Sequence, residues 1–173
     1  MPQTKNIILI GPMGSGKTTI GRQLAKQLNM AFFDSDHEIE AKTGANIPLI
    51  FELEGEKGFR KRETAMLDEL SKKSGIVLAT GGGAVLALEN RKMLRQRGIV
   101  IYLSATTAQL WERTRLDKNR PLLQTDNPQK KMETLFNQRD PLYKEMADII
   151  IDTGTGNVKS TIKQIIAQLK SIE

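Results

Sequence analysis

The 173 residues contain no cysteine, so neither a disulfide nor a thiolate metal site is available. No run approaches the roughly eighteen consecutive apolar residues of a transmembrane helix, and no membrane partner is expected. Aromatic residues are scarce at 5%, and no basic stretch interleaves them for stacking on bases, so nucleic acid is not an expected partner either. The opening MPQTKNIILIG has no charged segment followed by a long apolar one. A secretory leader is therefore not expected, and a cytoplasmic, monomeric protein is. Internal repeats and low-complexity tracts are also missing. The remaining composition is that of an ordinary soluble chain, with 39% hydrophobic and 27% charged residues. Its net charge of +6 reads as a solvated basic surface around an anion-filled cleft.

The length suits one compact domain spanning residues 1–173. Five short β-branched runs at 6–10, 31–34, 75–80, 98–103 and 147–152 read as strands, and their continuous apolar character suggests parallel strands covered on both faces. Helical patterns lie between them. One over about 16–28 carries Ile20, Leu24 and Leu28 on one face, and one over about 157–171 turns Ile162, Ile165, Ile166 and Leu169 inward. Ser35 followed by Glu38 reads as a capping box opening a helix that stops at Gly44. Asn46 caps another ending near Gly55, and a charged helix over 56–73 follows with Phe59, Leu67 and Leu70 inward. The expected fold is a three-layer, doubly wound α/β domain with a five-stranded parallel sheet, a helical insert at about 35–74 and a lid loop at about 115–128.

Behind the first strand stands GPMGSGKTT, a G-x-x-x-x-G-K-T phosphate-binding loop (P-loop) with Gly11, Gly16, Lys17 and Thr18 at the defining positions. Its expected nucleotide contacts are Gly14, Ser15, Gly16, Lys17, Thr18 and Thr19. Backbone N–H groups and the helix dipole cradle the phosphates, Lys17 spans the β- and γ-phosphates, and the Thr18 hydroxyl joins a Mg²⁺ shell. The second strand ends in Asp34 and Asp36, two apart and so on one side of an extended segment. One can hold metal-bound water while the other meets an acceptor hydroxyl, or Asp36 simply charges the N-terminus of the next helix. His37 reads as a solvated residue of that first turn. The third strand ends in Thr80 and three glycines, Gly81, Gly82 and Gly83, where close approach of a ligand to the backbone is expected.

The P-loop, DSD, FELEGEKGFRKRE, ATGGGA, RPLL and RDPLY stand in the order seen in shikimate kinases, and the resemblance covers about residues 7–152. It implies transfer of the γ-phosphoryl group of ATP, with Mg²⁺, to the 3-hydroxyl of shikimate in aromatic amino-acid biosynthesis. It further implies that Asp36 binds the acceptor hydroxyl and serves as its base, that Asp34 reaches Mg²⁺ through water, and that Arg60 and Arg139 grip the substrate carboxylate. Gly82 matches the glycine whose N–H contacts shikimate, Glu63 a residue that orients Arg60, and Phe51 and Phe59 aromatics beside the ring, although plain core packing also accounts for the two rings. Arg120, ahead of Pro121, matches the lid arginine that closes on the phosphates, and Arg113 a residue that packs on adenine. Near the end, DTGTGNVKS has Gly156 and Val158 where some relatives place an arginine and a proline, so backbone atoms are expected to contact the base there.

Two other functions fit the P-loop alone: a gluconate or nucleoside-monophosphate kinase, and a nucleotide-gated regulatory protein. Neither is expected to combine GFRKRE, TGGG and RDPLY. The paired acids and carboxylate-reading arginines suit a small acceptor better than a partner surface.

Overall fold

A computed structural model describes residues 5–117, 120–154 and 156–172. Residues 118 and 119, within the expected lid, lie outside the described residues. Five strands, β1 (Asn6–Ile10), β2 (Ala31–Asp34), β3 (Ile76–Ala79), β4 (Gly98–Ser104) and β5 (Ile149–Asp152), form one parallel sheet in the order β2-β3-β1-β4-β5. Seven helices stand among the described residues: α1 (Lys17–Leu28), α2 (Ser35–Thr43), α3 (Ile47–Ser71), α4 (Leu88–Arg97), α5 (Thr107–Thr114), α6 (Pro128–Met146) and α7 (Val158–Ile172). None of them is long and apolar enough to cross a membrane.

The unbroken apolar runs have the cause expected of them. All of β1 and β3 is buried, because helices cover both faces of the sheet, whereas the edge strand β5 alternates buried and exposed residues. Ile7 and Leu9 pack with Ile20 and Leu24 of α1 and Ile162 and Ile165 of α7. Ile8 and Ile10 point the other way, to Leu67 and Leu70 of α3, Leu94 of α4 and Tyr143 of α6. The three layers and the doubly wound sheet are thus borne out.

Register places the site. Asp34 pairs with Ala79, and Ala79 with Leu9, so the carboxyl ends of β2, β3 and β1 finish level with one another. The acidic segment, the three glycines and the P-loop all leave the sheet along that rim, at the topological switch point where ligands bind in such folds.

The expected capping box at Ser35 is corrected. Asp34 caps α2, its carboxylate accepting from the N–H groups of Asp36 and His37, while Ser35 is buried as the first helical residue. A shared N-terminus favours the carboxylate, which accepts two N–H groups at once and also complements the helix dipole. The two helices expected on either side of Gly55 are present as the arms of α3, broken where Gly55 takes φ 72° and ψ 177°. α4 and α6 have no counterpart in the expected helices.

Asn6 locks the insert to the sheet. It is 4% exposed, its amide donates to the carbonyls of Ser71 (3.1 Å) and Lys73 (2.7 Å), and its oxygen accepts from Ile76 N–H (3.1 Å). Asn6→Leu fills the space yet leaves those groups unsatisfied, which should cost roughly 1–3 kcal/mol in urea denaturation. A loss under about 0.5 kcal/mol would mean that the three groups find other partners.

Candidate active site

The loop between β1 and α1 is built to receive an anion. Gly16 holds the left-handed conformation (φ 93°) at the start of α1, and no side chain caps that helix or puts an acid in its first turn. By contrast α2, α3, α5 and α6 each have a side-chain acceptor at the N-terminus. The exposed N–H groups and positive dipole end of α1 therefore face the cleft unopposed. The Lys17 ammonium lies on the carbonyls of Gly11 (2.6 Å) and Pro12 (2.9 Å). Burial, then the charge of Arg120, lowers its pKa to about 8. The cleft measures about 440 Å³, and Gly14, Lys17, Thr18, Thr19, Asp36 and Arg120 are among its walls. Ser15 is buried beneath the loop instead of lining it.

Asp34 and Asp36 both reach this cleft, but not as alternate residues of an extended strand. Asp34 ends β2 and Asp36 sits in the first turn of α2, so the strand-to-helix turn brings them together. The Thr18 hydroxyl donates to Asp34 Oδ2 (2.7 Å), while Asp34 Oδ1 is taken by the Asp36 and His37 N–H groups. This hydroxyl–carboxylate pair offers hard oxygen donors next to the phosphate cradle, which suits Mg²⁺. Among the described residues no group of three or more His, Cys, Asp or Glu side chains could hold a metal ion. His37 is exposed, as expected of a solvated residue.

Asp36 has a different environment. Its Oδ1 is buried without a hydrogen-bond partner, and burial, reinforced by the negative charges of Glu63 and Asp34, raises its pKa to about 7.

The glycine run explains how so many charges fit. A Cβ at Gly81 would stand 2.9 Å from both Asp36 Oδ1 and Glu63 Oε2, and one at Gly83 would run into the Arg60 guanidinium. Side chains on this turn would expel the cluster. Arg60 binds Glu63 (2.9 Å) and Glu56 (3.3 Å), with Glu63 only 1% exposed. Burial pushes the Glu63 carboxyl up, against the opposing pull of Arg60. Arg139, on α6, is 3% exposed, forms no ion pair among the described residues, and has an unpartnered buried Nε. Burial, above all, lowers its pKa. Phe59 is at once core and wall, its ring 4.9 Å from that of Phe51 and beneath the Arg60 guanidinium. Met13, Asp36, Gly81, Gly82 and Arg120 line this second pocket as well as the first, so the two are continuous.

At the other end of the cleft Arg113 bonds the carbonyls of Gly14 (3.0 Å) and Thr153 (3.1 Å). Gly156, with φ 97°, lies in the turn before α7 and is not among the cleft-lining residues. Arg120 pairs with Asp117 (2.9 Å) and precedes a short turn at Pro121–Leu123, whose Leu123 packs with Leu110, Met132 and Leu135 beside Trp111. Sequence reasoning overlooked Tyr143, whose hydroxyl donates to the Gly82 carbonyl (2.5 Å), and Thr153. Tyr143 could have been found from its i+4 spacing to Arg139 on one helical face.

The family model for shikimate kinase matches residues 13–170. The chain belongs to the shikimate kinase family. It is 58% identical to a shikimate kinase of Burkholderia thailandensis over 165 residues, 95% of this chain and 90% of the relative. A solved shikimate kinase of Acinetobacter baumannii, in complex with shikimate, superposes with a TM-score of 0.96 at 52% identity, covering 98% of this chain and 95% of that one. A deoxyadenosine kinase from M. mycoides, 21% identical with a TM-score of 0.65, covers 97% of this chain and 100% of its own and shares the fold. The α/β fold is therefore wider than the family.

The Asp36 environment has a measurable cost. Its carboxyl titrates at about 7 in the folded protein against 3.8 in its ordinary state. Between those values the folded chain holds the proton and the unfolded chain does not, so this group's contribution to stability falls as pH rises through the window. Asp36→Asn should therefore be more stable than wild type at pH 8 by on the order of a few kcal/mol, with the gap closing as pH falls from about 7 to about 4. Denaturant titrations across that range test it. A gap independent of pH would assign the effect to packing.

Proposed function

We propose that the protein transfers the γ-phosphoryl group of ATP to the 3-hydroxyl of shikimate, giving shikimate 3-phosphate and ADP. The observation that carries this is Arg139, a buried guanidinium with no ion pair among the described residues, beside Arg60 in a pocket continuous with the P-loop cleft. Glu63 and Glu56 act on this buried cation only from beyond ion-pair distance, and a planar substrate carboxylate supplies two acceptors in the geometry of a guanidinium.

With the carboxylate on Arg60 and Arg139, the ring lies between the Phe51–Phe59 wall and the glycine turn, and a hydroxyl points to Asp36. The Gly82 N–H adds a contact to the acceptor. Asp36 in its ionised form accepts the hydroxyl proton as the oxygen bonds to phosphorus and the bond from the γ-phosphorus to the ADP oxygen breaks. The charges of Lys17 and Arg120, acting on Asp36 across the cleft, favour that ionised form, against the burial that opposes it. Gly14, Ser15, Gly16 and Thr19 position the phosphates through the loop. Lys17 and Arg120 offset negative charge developing on the transferred group. Thr18 and Asp34 would hold Mg²⁺, whose chemistry is to neutralise charge on the β- and γ-phosphate oxygens. Arg113 and the turn at Gly156 serve the nucleoside end. The 115–128 segment acts as a lid keeping water from the γ-phosphate, and Arg120, which already lines the cleft, brings its charge to the transferred group.

A coupled assay for ADP, run with shikimate, gluconate and AMP in parallel, tests the assignment. Release should require shikimate and magnesium. Equal ADP formation with and without shikimate, from protein that binds ATP, would falsify it.

Arg139→Ala should weaken shikimate binding roughly 10²–10⁴-fold, corresponding to about 3–5 kcal/mol for stripping a buried anion of its partner, with ATP affinity retained. Arg60→Ala should act in the same direction, though it also leaves Glu63 buried without its cation, which makes Arg139→Ala the cleaner variant. Calorimetric titration with each ligand separates the effects. Unchanged shikimate affinity in both variants removes the carboxylate clamp.

A further inference from the structure

The acceptor pocket lies at the Asp36 and Arg139 end of the cleft, so a nucleoside whose phosphates sit on the P-loop must extend the opposite way, past Gly14 toward Arg113. Two successive carbonyls there are held by the same face of α5. Arg113 takes Thr153 O (3.1 Å) and Gln109, one helical turn earlier, donates from Nε2 to Gly154 O (3.2 Å). Arg113 also bonds Gly14 O (3.0 Å) and Thr153 Oγ1 (3.3 Å), which ties that turn to the P-loop. The Gln109 amide lies so close over Gly154 that a Cβ there would collide with it.

Gln109 has a second bond. Its Oε1 accepts from Thr106 N–H (2.8 Å), while Thr106 Oγ1 accepts from Gln109 N–H (3.2 Å), a reciprocal capping box that starts α5. One amide thus fixes the start of the helix with its oxygen and the turn after β5 with its nitrogen. Capping alone does not call for glutamine over glutamate, which accepts equally well and suits the helix dipole better. Only the donor to Gly154 requires the amide.

We infer that Gln109 is a positioning residue for the nucleoside end of the ATP site, holding the Thr153–Gly154 turn against the P-loop. This rests on the ATP-dependent function proposed above. The turn is held from behind by α5, so its own side chains are not needed to place it.

Gln109→Glu separates the two roles, because the carboxylate keeps the bond to Thr106 N–H and loses the donor to Gly154. Its melting temperature should fall less than that of Gln109→Ala, since the cap is kept. The KM for ATP and the dissociation constant for β,γ-imido-ATP should rise about 3- to 10-fold, the worth of one hydrogen bond. The KM for shikimate, the affinity for inorganic tripolyphosphate and kcat at saturating ATP should each move less than about twofold, since the phosphate cradle and acceptor pocket are untouched. Gly154→Ala, whose backbone is outside the left-handed region, should weaken β,γ-imido-ATP binding in the same selective way without adding charge. Gln109→Ala should lose both melting temperature and nucleotide affinity. Wild-type binding of β,γ-imido-ATP matched by Gln109→Glu and Gly154→Ala overturns the inference alone, as does an equal loss of tripolyphosphate binding. A wild-type protein that binds no nucleotide overturns the proposed function, and this inference with it.

Discussion

Four titratable side chains, Asp36, Glu63, Arg60 and Arg139, are drawn out of water around a turn of three glycines, and the cost of desolvating them is the constraint that the rest of the fold serves. Glu63 is almost fully buried and is kept by one close guanidinium, while Asp36 Oδ1, Glu63 Oε2, Arg60 Nε and Arg139 Nε are each buried with no hydrogen-bond partner. Such groups persist only where the surroundings over-determine them. Here the surroundings are three helices, two consecutive and one far along the chain: α2 delivers Asp36, the long arm of α3 delivers Arg60 and Glu63, and α6 delivers Arg139. The level strand ends set the rim, and the large core on the α3–α4–α6 face supplies the apolar packing that holds these helices in place against the electrostatic cost.

Much of this was legible in the sequence, for unequal reasons. The five strands could be read because a sheet covered on both faces needs uninterrupted apolar runs, and β1 and β3 are buried throughout. The P-loop could be read because its chemistry is local, with glycines, lysine and threonine all within one turn of backbone. The helices α4 and α6 could not. In α4 only Asn90 and Leu94 are buried, too few for an apolar stripe, and α6 carries Pro141 in its interior, a residue that usually ends a helix. Ser35 misled for a physical reason as well: two good capping residues stood side by side, and the carboxylate won. The juxtaposition of Arg60, Arg139 and Asp36 spans about a hundred residues of chain, and no periodicity could reveal it; the motif resemblance pointed to it, and the fold then brought the three together.

The two halves of the site are therefore made of different materials. At the start of α1 the cleft is lined by loop backbone, an uncapped helix N-terminus and one lysine, an arrangement that many sequences can form. Around the glycine turn the walls are guanidinium and carboxylate groups whose positions are fixed by packing, so a small displacement changes what fits. Beyond Gly14 the carbonyls of Thr153 and Gly154 are again backbone groups, steadied by Arg113 and Gln109 from α5. A surface of main-chain atoms keeps its hydrogen-bonding pattern when side chains change, provided something holds it in place.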